Sequence, residues 1–268
     1  MNATDSSFAE HRPGPEKFPT VVQVLARKNS SRTKDKNIRE VCGLPLIAYS
    51  ILVAKAVPSV DRVIINTDSE RYADMAKEFG AEALFIRPPR LASASSGFDD
   101  VICHAISYFS VEEGCVPLKL ISLVPTSPFR NVKALEGMVA GLDKFRWVKT
   151  AAAIDADWNR VAIQNGSGAK FVAPYLQDND NASIPTKGTG YFSGMCLSRW
   201  ENGPRFMLHP EEKHIMFCRE KSLVEKNFLK MFRIKNPIEL IDIDHEEDLA
   251  LMEAVLKKRL YDFGVDLC

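Results

Sequence analysis

Short β-branched or aliphatic runs alternate with amphipathic stretches along most of this chain, and that alternation restricts the fold more than any other feature. Val21, Val22, Val24 and Leu25 predict a buried strand that feeds the polar stretch from Arg27 to Asn37. Pro45 opens an apolar helix carrying Ile47, Ile51 and Ala54, and Arg62-Val63-Ile64-Ile65 predicts a second strand ending at Asn66-Thr67-Asp68. Tyr72, Met75, Ala76 and Phe79 then recur at helical spacing, with Asp68 or Ser69 placed to cap the start and Gly80 to stop the end. Ala83 to Ile86 predicts a third strand. A helix around Asp99 to Phe109, a strand from Leu118 to Val124 and a helix using Leu135, Met138 and Leu142 continue the series. Such alternation predicts an α/β fold, a Rossmann-like parallel sheet with helices on both faces.

Residues 155–232 break the rhythm, being rich in Gly, Asn, Pro and Lys, with short strands suggested at Lys170 to Val172 and Tyr191 to Leu197. They read as an inserted antiparallel or irregular lobe. The predicted organisation is a loose polar leader over 1–17, an α/β core over 18–154, the lobe over 155–232, and a return to the core over 233–268. That return uses a strand at Glu239-Leu240-Ile241-Asp242-Ile243 and a helix carrying Leu249, Met252 and Leu256.

Charge narrows the ligand problem: 35 Lys and Arg balance 35 Asp and Glu, so no global field favours nucleic acid or an acidic membrane. A bound anion must be held locally. The six cysteines form no C-x-x-C pair, the leader has no apolar run, and no apolar stretch approaches the roughly 20 residues of a membrane helix. A reducing cytoplasm is the expected setting.

The stretch from Arg27 to Asn37 leaves the carboxyl end of the first strand, where open α/β sheets bind ligands, and holds five Lys or Arg residues against one Asp. Cations, hydroxyls and free backbone N–H groups there suit a polyphosphate; a solvated charged turn is the plain alternative. There is no Walker loop. Asp242 and Asp244, two apart on a predicted strand, share one face where a hard cation such as Mg²⁺ could be met. Asp244-x-x-Glu247 also has the form of a helix capping box, and the two roles are compatible.

Six motifs, in order, carry a resemblance. Ala26-Arg27-x-x-Ser30 with Lys36-Asn37, Gly43-x-Pro45-Leu46-Ile47, Asn66-Thr67-Asp68-Ser69, Arg87-Pro88-x-x-Leu91-Ala92, Pro125-Thr126-Ser127-Pro128-Phe129-Arg130 and Asp242-Ile243-Asp244-x-Glu246-Glu247-Asp248 resemble the signatures of the acylneuraminate cytidylyltransferases, the CMP-sialic, pseudaminic and legionaminic acid synthetases. The resemblance implies a nucleotidyltransferase that joins CTP to an acidic 2-keto sugar, giving a CMP-sugar and pyrophosphate. It implies CTP contacts at Ala26, Arg27, Ser30, Arg32, Lys36, Asn37, Arg87 and Ser96, with Arg27, Arg32 and Lys36 neutralising the leaving pyrophosphate. It further implies Mg²⁺ on Asp242 and Asp244, sugar contacts at Thr126 and Ser127, and a homodimer paired through the lobe; Tyr191 and Phe192 are candidates for lining the sugar pocket, with core packing the plain alternative.

The chain departs from the pattern at three places. Ser31 precedes Arg32 where a Lys is usual, a spacing closer to the CMP-Kdo synthetases; Val124 stands where Gln is frequent; and Ala94 stands where an Asp is expected. A CMP-Kdo or amino-Kdo synthetase is therefore the alternative enzyme. A catalytically silent nucleotide-binding homologue is the alternative from another class.

Overall fold

The computed structural model describes residues 19–28, 33–93, 96–153, 162–165, 168–171, 186–196, 206–209, 214–217 and 229–267. In the first half the predicted alternation is present almost element by element. Strand β1 (Thr20–Ala26) leads to a short hairpin, β2 (Glu40–Val41) and β3 (Leu44–Pro45), and then to α1 (Leu46–Lys55). Strand β4 (Arg62–Thr67), α2 (Glu70–Glu78), α3 (Phe98–Glu112), β5 (Lys119–Leu123), α4 (Val132–Gly141) and β6 (Trp147–Ala153) follow. Between Asp68 and Ser69 the cap falls to Ser69, whose hydroxyl accepts from the Tyr72 amide, and Gly80 takes φ +84 just past the helix end.

The second half supplies β7 (Ala162–Asn165), β8 (Gly168–Phe171), β9 (Thr186–Cys196), β10 (Phe206–His209), β11 (His214–Phe217), β12 (Leu229–Arg233) and α5 (Glu246–Lys257). Six strands form the main sheet in the order β12-β6-β9-β5-β1-β4. Five run in one direction, and β9 lies antiparallel between β5 and β6. This corrects the expected boundaries of the lobe: β9 and β12, both inside 155–232, are strands of the main sheet. The short strand expected from Tyr191 is the second half of an eleven-residue strand, Thr186–Cys196, whose glycine-containing first half is extended by sheet pairing. The β7–β8 and β10–β11 hairpins stand outside that sheet.

Side-chain alternation along the strands divides the core in two. Val22, Val24, Val63, Ile65, Ile121 and Leu123 face α1, α4 and α5 in the larger cluster. Val21, Ile64 and Leu120 face the other way, against Ile102, Ile106 and Phe109 of α3. Helices thus cover both faces, as expected of the fold class.

Two predicted strands are absent. Residues 82–86 pair with β4 only at the isolated bridges Ile64↔Glu82 and Thr67↔Ile86, and then run into Pro88-Pro89. Pro237 instead starts a 3-10 turn, Pro237–Leu240, capped by the Asn236 side chain, and Ile241 to Asp244 follow without sheet pairing. The capping residue of α5 is also one later than expected. Asp248 Oδ2 accepts from the amides of His245 (2.7 Å) and Asp244 (2.9 Å), so the box is built on His245 and Asp248 rather than on Asp244 and Glu247.

Candidate active site

Strand ends β1, β4 and β5 open onto a cleft of about 360 Å³ at the carboxyl edge of the sheet. Arg27, Lys36, Asn37, Arg87, Ser93, Ser96, Thr126 and Asp244 supply its polar lining, and Leu25, Leu91, Phe98, Val101 and Val124 its apolar wall. Three cations face one carboxylate. An apolar slot beside concentrated positive charge suits a ligand with a flat ring at one end and phosphates at the other.

The loop after β1 is fixed from several sides. The Lys28 amide donates to Asp68 Oδ1 (2.7 Å), and Asp35, at φ 52, accepts from the Tyr72 hydroxyl at 2.9 Å. Burial, and then the bond to Asp35, holds the Tyr72 phenol well above its ordinary value, so it remains a donor. Asn37 Nδ2 donates to the Arg27 carbonyl (3.0 Å), while its Oδ1 is buried without a hydrogen-bond partner among the described residues.

Lys36 is almost wholly buried and pairs with Asp244 Oδ1 at 2.9 Å, while the Thr33 hydroxyl donates to the Asp244 carbonyl at 3.0 Å. These contacts hold the 241–244 segment against the first loop. On its other side the Ile243 amide donates to the Thr126 carbonyl at 2.6 Å. Arg130, fully buried, donates to Ser50 Oγ (2.7 Å), to the Val124 carbonyl (2.6 Å) and to the Ser127 carbonyl, which shapes the Pro125 to Pro128 turn.

Arg87 enters from the segment after β4. Its amide bonds to the Thr67 carbonyl (2.7 Å), its Nε donates to Asn66 Oδ1 (2.8 Å), and its Nη2 donates to the Asn66 carbonyl (2.5 Å). Burial pulls this guanidinium down to about 10, Asp68 opposing and Arg27 adding to the shift. It is still a cation at neutral pH, held without a carboxylate contact among the described residues in a site that an anionic ligand would relieve.

Of the residues singled out in the sequence, Arg27, Lys36, Asn37, Arg87, Ser96, Thr126 and Asp244 are brought together on the cleft. Ser96 Oγ donates to the Arg90 carbonyl at 2.6 Å. Ala26 turns its methyl into the core, leaving only its backbone near the edge, and buried Ser127 does not line the cleft. Ser30 and Arg32 lie outside the described residues, as do the side chains of Tyr191 and Phe192. The backbone of β9 pairs Phe192 with Leu123, however, so Tyr191 continues along the strand end that carries Val124.

The two carboxylates expected to act together are placed differently: Asp244 lines the cleft, whereas Asp242 is exposed and outside the lining. The period-of-two argument required a strand, and none forms there. Among the described residues no group of three or more His, Cys, Asp and Glu gathers as a closed metal cage. Mg²⁺ does not need one, since it keeps several waters and takes one or two carboxylates with substrate phosphates. Asp244 on the cleft wall fits that demand.

Thr33, Arg130 beyond its place in the Pro125 to Arg130 motif, and the buried Gln23 and Ser122 have no role assigned from the sequence. The first two act through loop contacts with no periodic signature. The others are polar residues inside strands otherwise apolar, which is a readable signal.

The architecture is that of an α/β protein with a cationic cleft at the carboxyl edge of its main sheet. Residues 21–145 match the cytidylyltransferase family. N-acylneuraminate cytidylyltransferase of Escherichia coli O18:K1:H7 is 36% identical over 243 residues, 88% of this chain and 52% of the relative. CMP-N,N'-diacetyllegionaminic acid synthase of Legionella pneumophila is 32% identical over 116 residues, 43% of this chain and 50% of the relative. The chain thus spans about half the length of these curated relatives. Among solved structures, CMP:2-keto-3-deoxy-manno-octonic acid synthetase complexed with CTP superposes with a TM-score of 0.58 at 17% identity, covering 90% of this chain and 99% of its own, a likeness of fold. Among the described residues no helix is long and apolar enough to cross a membrane.

Proposed function

We propose that this chain is a cytidylyltransferase that activates an acidic 2-keto sugar of the nonulosonic type with CTP, releasing pyrophosphate. The observation that carries the reading is the cleft at the carboxyl edge of the sheet, where Arg27, Lys36 and Arg87 meet an apolar wall inside the cytidylyltransferase segment. In the reaction the anomeric hydroxyl oxygen attacks the α-phosphorus of CTP. The bond from that phosphorus to the β-phosphate bridging oxygen breaks, pyrophosphate leaves with the electron pair, and the hydroxyl proton passes to solvent.

This chain's residues contribute position and charge. Arg27 and Lys36, with Arg32 of the same loop, draw charge from the triphosphate, and Arg87 holds the nucleotide from the opposite wall. Leu25, Phe98 and Val101 exclude water from one side of the cleft. Asn37 Oδ1, already desolvated, is an acceptor available to the nucleotide. Asp244 would hold Mg²⁺, which supplies Lewis-acid neutralisation of the phosphate oxygens when bound. Thr126, and the strand carrying Tyr191 and Phe192, border the side where the sugar enters. Homodimerisation through the hairpins outside the sheet and a cytoplasmic location belong to the same reading.

The test is pyrophosphate release with each nucleoside triphosphate against a panel of nonulosonic acids and Kdo. Release with CTP and a nonulosonic acid is expected. Preference for Kdo would reassign the sugar, and release with none would remove the activity.

A further inference from the structure

The α3-facing side of the sheet changes character in one step along the strands. Val21, Ile64 and Leu120 pack against α3, and two residues further toward the carboxyl edge the same face carries Gln23, Asn66 and Ser122, all buried. Three polar side chains in strand interiors are costly unless every donor finds an acceptor. Here the bonds run in one direction. Gln23 Nε2 donates to Ser122 Oγ (2.8 Å), Asn66 Nδ2 donates to Gln23 Oε1 (3.0 Å) and to the Val101 carbonyl (3.4 Å), and Asn66 Oδ1 accepts from Arg87 Nε (2.8 Å).

We propose that Ser122, Gln23 and Asn66 form a positioning relay that fixes the orientation of Arg87 for nucleotide binding, although none of the three lines the cleft. The reason is the polarity of an amide. Turned over, Asn66 would set Nδ2 against Arg87 Nε, donor against donor; the Val101 carbonyl, which can only accept, and Gln23 Oε1 together hold Nδ2 on the far side, and Ser122 Oγ anchors Gln23 by accepting from its Nε2. Nε and Nη2 of Arg87 are thereby held on Asn66, and Nη1, which bonds to no described residue, is left for the ligand. The relay crosses three neighbouring strands, so the sheet itself aims the cation.

The consequence for CTP rests on the function proposed above, so the experiment has two arms. In the ligand-free protein, NMR of the arginine side chains reads hydrogen exchange at Arg87 Nε. Slow exchange in the wild type and at least tenfold faster exchange in Gln23→Met is expected, because loss of one buried hydrogen bond loosens the next. Unchanged exchange would overturn the relay whatever the nucleotide. In the second arm, CTP dissociation constants are measured for wild type, Gln23→Met, Arg87→Met and the double variant. Gln23→Met should weaken CTP binding about fivefold to tenfold alone, and by nothing further once Arg87 is gone. Equal effects in both backgrounds would show that Gln23 does not act through Arg87 and would overturn the proposal. Ser122→Ala, a milder change, serves in both arms if Gln23→Met fails to fold. A wild type that does not bind CTP would refute the function while leaving the first arm decisive for the relay.

Discussion

Asp248 carries a task that the sequence assigns to a different residue. Its carboxylate accepts two backbone amides at the start of α5, and those bonds, His245 first and Asp244 second, hold it below the ordinary carboxylate value of 3.8. A depressed folded-state pKa contributes stability that is present above the unfolded value and lost as pH falls through the folded one. Asp248→Ala should therefore cost about 1 kcal/mol at neutral pH, the ordinary worth of a helix cap. The gap between variant and wild type should close as urea denaturation is repeated from pH 5 down to pH 2. A gap that widens on acidification would contradict the assignment. The same stretch shows how far residue-level reading reaches: Asp244 was legible as a cleft carboxylate, but its coupling to Asp242 was inferred from a strand that Asn236-Pro237 replaces with a turn.

At the scale of elements, the first half of the sheet was legible because each strand there carries β-branched residues and is followed by a helix with an apolar stripe. Strand β9 was legible only in its second half, from Tyr191, since Gly188 and Gly190 conceal the first half, which tertiary pairing stabilises. The cleft was legible where cations cluster in one loop, and illegible where distant segments are tied together. Arg130 is such a tie, holding the Val124 and Ser127 carbonyls in the turn that receives the Ile243 amide through Thr126. Arg130→Met should take the guanidinium donor from the buried Ser127 carbonyl, leave the Val124 carbonyl with the Ser127 amide alone, and destabilise the fold by about 2 to 4 kcal/mol, read as a lowered urea midpoint. An unchanged midpoint would mean that the turn holds its shape without the guanidinium.

For the whole molecule, the position of β9 changes what can be tested. Removing residues 160–220 would take a strand from the middle of the main sheet, so lobe and core cannot be separated by that deletion. Subunit pairing is instead read on the intact chain: sedimentation equilibrium at micromolar concentration should give a dimer mass of twice 30.0 kDa. A monomer with full activity would contradict a site shared between subunits. The proposed reaction rests on the fold, the cationic cleft and the match of residues 21–145 to the cytidylyltransferase family. The most direct measurement is pyrophosphate released per enzyme with CTP, Mg²⁺ and a panel of nonulosonic acids, with ATP, GTP and UTP in parallel. Multiple turnovers with CTP and at least one nonulosonic acid, falling away with the other nucleotides, is the predicted result; nucleotide binding with no pyrophosphate release from any pair would contradict it.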